Sequence, residues 1–456
     1  MTLEGRYEEM TLQPVKRLVW RMAVPTIAAM VTTALYNVVD AAFVGRLSTE
    51  GTAGIGVSFA YMTFIQALGF FFGHGSGNYI SRALGARDAQ SAGVVATVGV
   101  VTPLLLGLLA AALCLPNLAA LSRALGAPVE VVPQACEYLK YIVAATPFMM
   151  TALTLNNQLR LQGSARRGMV GIVSGAVLNI ALDPLLIFGL DMGIAGASLA
   201  TAISQVCSWG LLLYGTFKPD TVHIKLRDFK PSLKVYNEIV RGGLPSLFRQ
   251  AFNCAAAVLL NYCAARYAEP GQEASAVAAF AVVTRVMMFA FSAVLGFCQG
   301  FQPVCGFNYG AGLYGRVREA WLYAVRVGTA ALLAVSAAGF VFAPGVVSLF
   351  RSEDPVLVSI GATTLRWQCA AFPLVALSTS TNMLFQNIRM TGPATLLSIC
   401  RNGLFFLPAV TLLPLWLGLQ GVQMAQAVAD VCTFLLAVPY ALWIDRKLRN
   451  NMMNKK

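Results

Sequence analysis

Asp40 closes the run Tyr36-Asn37-Val38-Val39-Asp40 inside a long apolar stretch, and Asp183 follows Asn179 by four residues in Asn179-Ile-Ala-Leu-Asp183-Pro184 inside another. Four-residue spacing puts Tyr36 with Asp40, and Asn179 with Asp183, on one face of a helix. A carboxyl group withdrawn from water alternates between a proton and another cation. An amide beside it adds oxygen ligands of the kind that suit H+ or Na+. Thr201, in the following apolar run, is a candidate neighbour for that set. Plainer alternatives stand beside these readings. Gly45 and Arg46 follow Asp40 closely, as at a helix end in the headgroup layer. Asn179 and Asp183 also fit a polar pair that hydrogen-bonds neighbouring helices.

Other polar residues inside apolar runs carry less definite chemistry. Asn156, Asn157 and Gln158 fit the lining of a cavity or a solvated helix end equally well, and Asn37 joins Tyr36 as a cavity candidate. Arg285, Arg401 and Asp430 are the candidates of the second half. A charge at the bilayer centre costs about 2.5–3.5 kcal/mol on insertion scales, so such residues face a bundle interior, pair or snorkel. His74, among Gly73, Gly75 and Gly77, reads as a packing or hydrogen-bonding residue, and Glu137 as interfacial. Met149 stands with Met22, Met30, Met62, Met150, Met287 and Met288 in apolar runs. Methionines line adaptable pockets and also fill ordinary cores.

These side chains need a scaffold that lipid surrounds. Of 456 residues 57% are hydrophobic and only 12% charged, against roughly 25% charged in soluble domains; mean hydropathy is +0.67. Apolar runs at 18–44, 53–82, 92–115, 135–160, 168–190, 193–217, 238–266, 274–303, 317–343, 356–387, 393–417 and 420–444 predict about twelve membrane helices. The alternation of a membrane barrel is absent. Pro25, Pro147, Pro184, Pro245, Pro373 and Pro408 interrupt the runs, and neighbours in a bundle can satisfy the backbone groups that proline frees. The first run is too long for a signal core and reads as a retained helix.

The net charge of +13 has a topological explanation that does not need nucleic acid. Lys16, Arg17 and Arg21, then Arg82 and Arg87, Arg160, Arg166 and Arg167, the basic link after helix six, Arg316 and Arg318, Arg389, and Arg446, Lys447 and Arg449 fall on alternate links. The opposite links hold only Arg46, Arg123, Arg266 and Arg351. Positive charge inside then puts both termini in the cytoplasm. Ten cysteines lack metal spacing and read as packing residues. P-loop, HExxH, GxSxG and Asp-rich Mg2+ motifs are missing, so the reading is not an enzyme, carries no cofactor beyond a coupling ion, and leaves an ion gradient as energy source.

A repeat divides the chain. Gly193-Ile-Ala-Gly-Ala-Ser-Leu-Ala-Thr-Ala matches Gly418-Leu-Gln-Gly-Val-Gln-Met-Ala-Gln-Ala, Gly85-Ala86 matches Gly310-Ala311, and Gly75 matches Gly300, all at one offset. An even number of helices per half gives both halves the same orientation, a parallel repeat about the membrane normal. The expected division is an N-lobe over 1–217, a cytoplasmic basic linker over 218–237 and a C-lobe over 238–456.

Three stretches, Tyr36 to Gly45, Gly75-Ser-Gly-Asn-Tyr-Ile-Ser-Arg-Ala-Leu-Gly-Ala-Arg-Asp88 and Leu178-Asn-Ile-Ala-Leu-Asp-Pro-Leu-Leu-Ile-Phe188, resemble the multidrug and toxic compound extrusion (MATE) family in its bacterial MepA-like branch, and the likeness covers essentially the whole chain. The resemblance implies an all-α membrane fold of twelve helices in two six-helix lobes arranged as a V. It implies a transporter of the bacterial cytoplasmic membrane that exports bulky, often cationic compounds in exchange for H+ or Na+. It further implies that Asp40, Asn179 and Asp183 bind the coupling cation, that Tyr36 and Thr201 share their pocket, and that Pro25 is the hinge of the first helix. Relatives with acids in helices seven and ten are not matched, since Arg249, Asn253, Asn261 and Gln368 stand there. Small organic substrate, coupling cation and lipid are the expected partners of a monomer. Competing readings are a lipid-linked precursor or metabolite flippase of the same superfamily, and a membrane-embedded enzyme or channel.

Overall fold

Apolar runs long enough to cross lipid must satisfy their own backbone groups, and they do so as helices. The computed structural model describes residues 2–44, 49–350 and 354–453, with their side chains except those of 37, 38, 40–44, 49–53 and 55. Twelve long helices follow one another: α1 (Val15–Val44), α2 (Thr49–Gly85), α3 (Ala89–Cys114), α4 (Val132–Leu161), α5 (Ala165–Pro184), α6 (Gly193–Gly215), α7 (Leu233–Arg266), α8 (Glu273–Gly310), α9 (Tyr314–Val341), α10 (Pro355–Ala371 and Val375–Asn387), α11 (Thr391–Ile399 and Phe406–Leu417) and α12 (Leu419–Met453). At 1.5 Å per residue a helix like α1, with its 30 residues, is about 45 Å long, more than the hydrocarbon layer of roughly 30 Å. Among the described residues ten of the twelve are long and apolar enough to cross a membrane by length and composition. The exceptions are α7 and α10, which carry Arg241, Arg249 and Arg366.

Several boundaries differ from the apolar runs. A helix over Leu3–Leu12 precedes α1, where the sequence shows only a charged tail. The basic link gives its last residues to α7, which begins at Leu233 because the Ser232 hydroxyl caps the Val235 N–H at 3.3 Å. α10 is broken by a 3-10 turn over Phe372–Leu374 at Pro373. α12 runs on to Met453 and carries Arg446, Lys447 and Arg449 with it. Pro25, by contrast, lies inside an unbroken α1. π turns close α5 at Leu185–Gly189 and interrupt α11 at Cys400–Leu404.

The two halves, α1–α6 and α7–α12, meet where α1 packs on α8 and α2 on α7. Their common plan is recorded in the turns. Left-handed residues recur as Arg87 and Gly312, Gly163 and Arg389, and Gly193 and Gly418, so three turns of the first half have counterparts in the second. The glycines that reveal the repeat are seam residues. A Cβ on Gly85 would strike the carbonyl of Phe307, and one on Gly310 that of Arg82. Small residues at such crossings let backbones approach closely in lipid. The seam closes at the end that holds the Leu3–Leu12 helix. There Arg6 bonds Asp220 and lies 2.9 Å from Glu9, Arg167 reaches Asp220 at 2.6 Å, and Asn308 Nδ2 donates to the Met10 carbonyl at 3.0 Å. One short helix therefore ties both halves.

Candidate functional site

The first site grows from α5 and α6. Helical spacing stacks Asn179 over Asp183, and α6 lies alongside α5. The Asn179 Nδ2 group donates to Asp183 Oδ1 at 3.3 Å and to Thr201 Oγ1 at 3.3 Å. Asp183 is fully buried, and Asn179 and Thr201 are each 2% exposed. The Asn179 Oδ1 atom and the Ser204 hydroxyl are buried nearby without a hydrogen-bond partner among the described residues. Four oxygen-bearing side chains are thus gathered from one turn of α5 and one of α6, just before a π turn, a feature frequent at functional sites. α1 packs along α5. Tyr36 is half-buried on α1, and the side chains of Asn37 and Asp40 lie outside the described residues.

The second site is a cavity of about 650 Å3 walled chiefly by α7, α8, α10, α11 and α12, with Met30 of α1 and Phe70 of α2 at its edge. Among the described residues its ionisable lining consists of Arg249, Arg285, Arg401 and Asp430. Arg401 sits on the π turn of α11 and donates from Nε to Asp430 Oδ1 at 2.8 Å and from Nη2 to Oδ2 at 3.4 Å. Its guanidinium lies 4.9 Å from the centre of the Phe291 ring. Gln426 adds a bond to Asp430 Oδ1 at 3.0 Å. Arg249 and Arg285 make no ion pair among the described residues.

Not every candidate of the sequence falls in these two places. Asn156, Asn157 and Met149 are not among the residues that line this cavity. Asn156 donates to the Gly168 carbonyl at 3.0 Å and so locks α4 to α5. Asn157 Nδ2 donates to Leu153 O at 2.8 Å within α4. Met149 packs in a core with Tyr61, Ile65 and Ile142. Polar side chains at a helix end look alike in sequence whether they face water or a neighbouring helix. Arg160 reverses the expectation in the other direction. Counted with the link cations, it is 3% exposed and donates to Gln299 O at 2.6 Å, Gln302 Oε1 at 2.7 Å and Asn157 Oδ1 at 2.7 Å. His74 lies beside it. A carbonyl only accepts, so the His74 Nδ1–H donates to Phe70 O (3.2 Å), leaving Nε2 to face Arg160 Nη2 at 3.4 Å. Arg249, Gln250 and Gln426 were not expected in the cavity; an arginine in the middle of α7, away from the charges of its two ends, was the available signal.

Residues 25–185 and 245–411 match the family model MatE, once in each half. The chain belongs to the MatE family. Its fold is accordingly the twelve-helix, two-lobe arrangement of those membrane transporters, and the double match restates the internal repeat. Multidrug export protein MepA of Staphylococcus aureus (strain NCTC 8325 / PS 47) is 26% identical over 428 residues, 93% of each chain. MepA of Staphylococcus haemolyticus (strain JCSC1435) is 27% identical over 434 residues, 94% of this chain and 93% of that one. Among solved structures, the outward-facing conformation of a multidrug resistance MATE family transporter of the MOP superfamily superposes with a TM-score of 0.91 at 30% identity, covering 99% of this MatE chain and all of that one. A MOP superfamily transporter from Pyrococcus furiosus, described by the reverse polarity of its binding pocket, superposes with a TM-score of 0.89 at 30% identity over 99% of both chains.

Proposed function

We propose that this MatE transporter exports bulky organic compounds across the bacterial cytoplasmic membrane in exchange for H+ or Na+, by alternating access between its two lobes. The observation that carries the reading is the buried set Asn179, Asp183 and Thr201, in which one amide at the end of α5 donates both to a carboxylate and to a hydroxyl. A buried carboxylate in a membrane bundle that also has a separate cavity in the other lobe fits a coupling ion bound in one lobe and cargo in the other. Asp40 of α1 completes the coupling set, Tyr36 borders it, and Pro25 is the point at which α1 bends. The multidrug export named for the staphylococcal relatives supports that physiological class here. The termini and the basic links face the cytoplasm, and the transporter works as a monomer, with residues 1–217 and 238–456 as its lobes.

The test is transport in proteoliposomes. A fluorescent amphipathic compound of either charge is supplied, and a pH gradient or a Na+ gradient is imposed separately. Movement driven by one gradient and lost in Asp183→Asn supports exchange and names the ion. Equal movement by wild type and Asp183→Asn under both gradients overturns it.

A further inference from the structure

The cavity of the second lobe has the wrong charge for a cationic cargo. Among the described residues three arginines and a single aspartate line it, and the aspartate is already committed to Arg401. Arg249 on α7 and Arg285 on α8 contribute two guanidinium groups with no carboxylate at ion-pair distance among the described residues. Arg401 is itself built to present charge. Asp430 and the Phe291 face hold its plane, and its bonds to Asp430 use Nε and Nη2 while Nη1 stays out of them. A planar guanidinium fork matches carboxylate, sulfonate or phosphate oxygens. Around these groups the wall is aromatic and thioether, with Phe280, Phe372, Phe406, Met287 and Met288. Low-dielectric walls strengthen the field of the uncompensated charges, which draws anions in and opposes cations.

We infer that the cargo of this cavity is an amphipathic organic anion, with an acidic head held by Arg249, Arg285 and Arg401 and an apolar body against the phenylalanines and methionines. This runs against the cationic cargo that the family resemblance implies, and it rests on the export reading above only for the direction of movement. A soluble organic acid and an anionic lipid share this chemistry.

Binding tests it without any gradient. The purified protein in nanodiscs of phosphatidylcholine is titrated with dansylglycine, an anion, and dansylcholine, a cation with the same fluorophore, and bound probe is read by fluorescence anisotropy. Wild type should bind dansylglycine about tenfold or more tightly than dansylcholine, and Arg249→Gln with Arg285→Gln should erase that preference while α-helix content stays unchanged. Arg401 is spared in this variant because its loss strands buried Asp430. Displacement of dansylglycine by phosphatidylglycerol in the disc identifies a lipid headgroup as the anion; binding untouched by that lipid identifies a soluble acid. Tighter binding of dansylcholine by wild type, or an anion preference that survives loss of both arginines, overturns the inference. Gradient-driven movement of dansylcholine with no binding of dansylglycine would overturn it while leaving ion-coupled export in place, so the two readings fail separately.

Discussion

Arg160 of α4 donates from Nη1 to Gln302 Oε1 of α8 at 2.7 Å, a bond that crosses from one lobe to the other. The same nitrogen reaches the Gln299 carbonyl at 2.6 Å, so a buried cation is shared between halves that the proposed alternating access must part. Opening this end of the molecule requires those bonds to exchange for water.

Arg160→Met should therefore weaken the closed seam. Losing a buried charge-assisted pair of bonds, with Gln302 and Asn157 left short of a donor, costs about 2–4 kcal/mol. Melting of the purified variant should shift down by several degrees, and deuterium uptake should rise in residues 74–85 and 299–310. Unchanged uptake there would show that the seam does not depend on Arg160.

Gly310 sits against the carbonyl of Arg82, and Gly85 against that of Phe307. Gly310→Val must push the two backbones apart, and overpacking of this kind costs about 1–3 kcal/mol. The variant is expected to reach the membrane, to lose transport, and to expose the seam to deuterium as Arg160→Met does. Full transport by Gly310→Val would show that the close crossing is dispensable.

Asn179→Ala removes the donor that links Asp183 with Thr201. If the proposed coupling ion binds here, its affinity should fall about tenfold, the usual effect of removing a residue that orients a ligand. Transport half-saturation measured against Na+ or H+ reads this shift. Thr201→Ser, which keeps the hydroxyl, should change it little, whereas Thr201→Val should act like Asn179→Ala.

Asp220, in the link between lobes, gives a pH dependence. Burial raises its carboxyl, but the hydrogen bond from Arg167 and the charges of Arg6 and Arg167 outweigh this and hold it below its ordinary value. A group lowered in the folded state contributes stability above the unfolded value, about 3.9, and loses it as pH falls through the folded value. Docking of the Leu3–Leu12 helix, followed by deuterium uptake of residues 3–12, should be firm at neutral pH and loosen in that acid window. Asp220→Asn should remove the acid transition and loosen the helix at neutral pH as well.

Much of this protein is legible without coordinates. Hydrophobic runs of helix length, the parity of basic links and the glycines at a common offset determine twelve helices in two similar halves, because lipid admits few ways to satisfy a backbone. The Asn179–Asp183 pair is equally legible, since both residues lie on one helix and their spacing fixes that they meet. Residues whose partners lie on other helices were not. Arg160 counts as a link cation until α8 is seen to cover it, and the bond from Asn156 to Gly168 cannot be read from a sequence in which the amide fits a cavity and a solvated helix end equally. The helix over Leu3–Leu12 is too polar to announce itself and is held by Asp220, more than 200 residues away. The pairing of Arg401 with Asp430, which leaves Arg249 and Arg285 as the cavity arginines without an ion pair among the described residues, is decided only by how α11 and α12 pack. Sequence spacing determines contacts within a helix; contacts between helices depend on rotation and depth, which only the packed bundle sets.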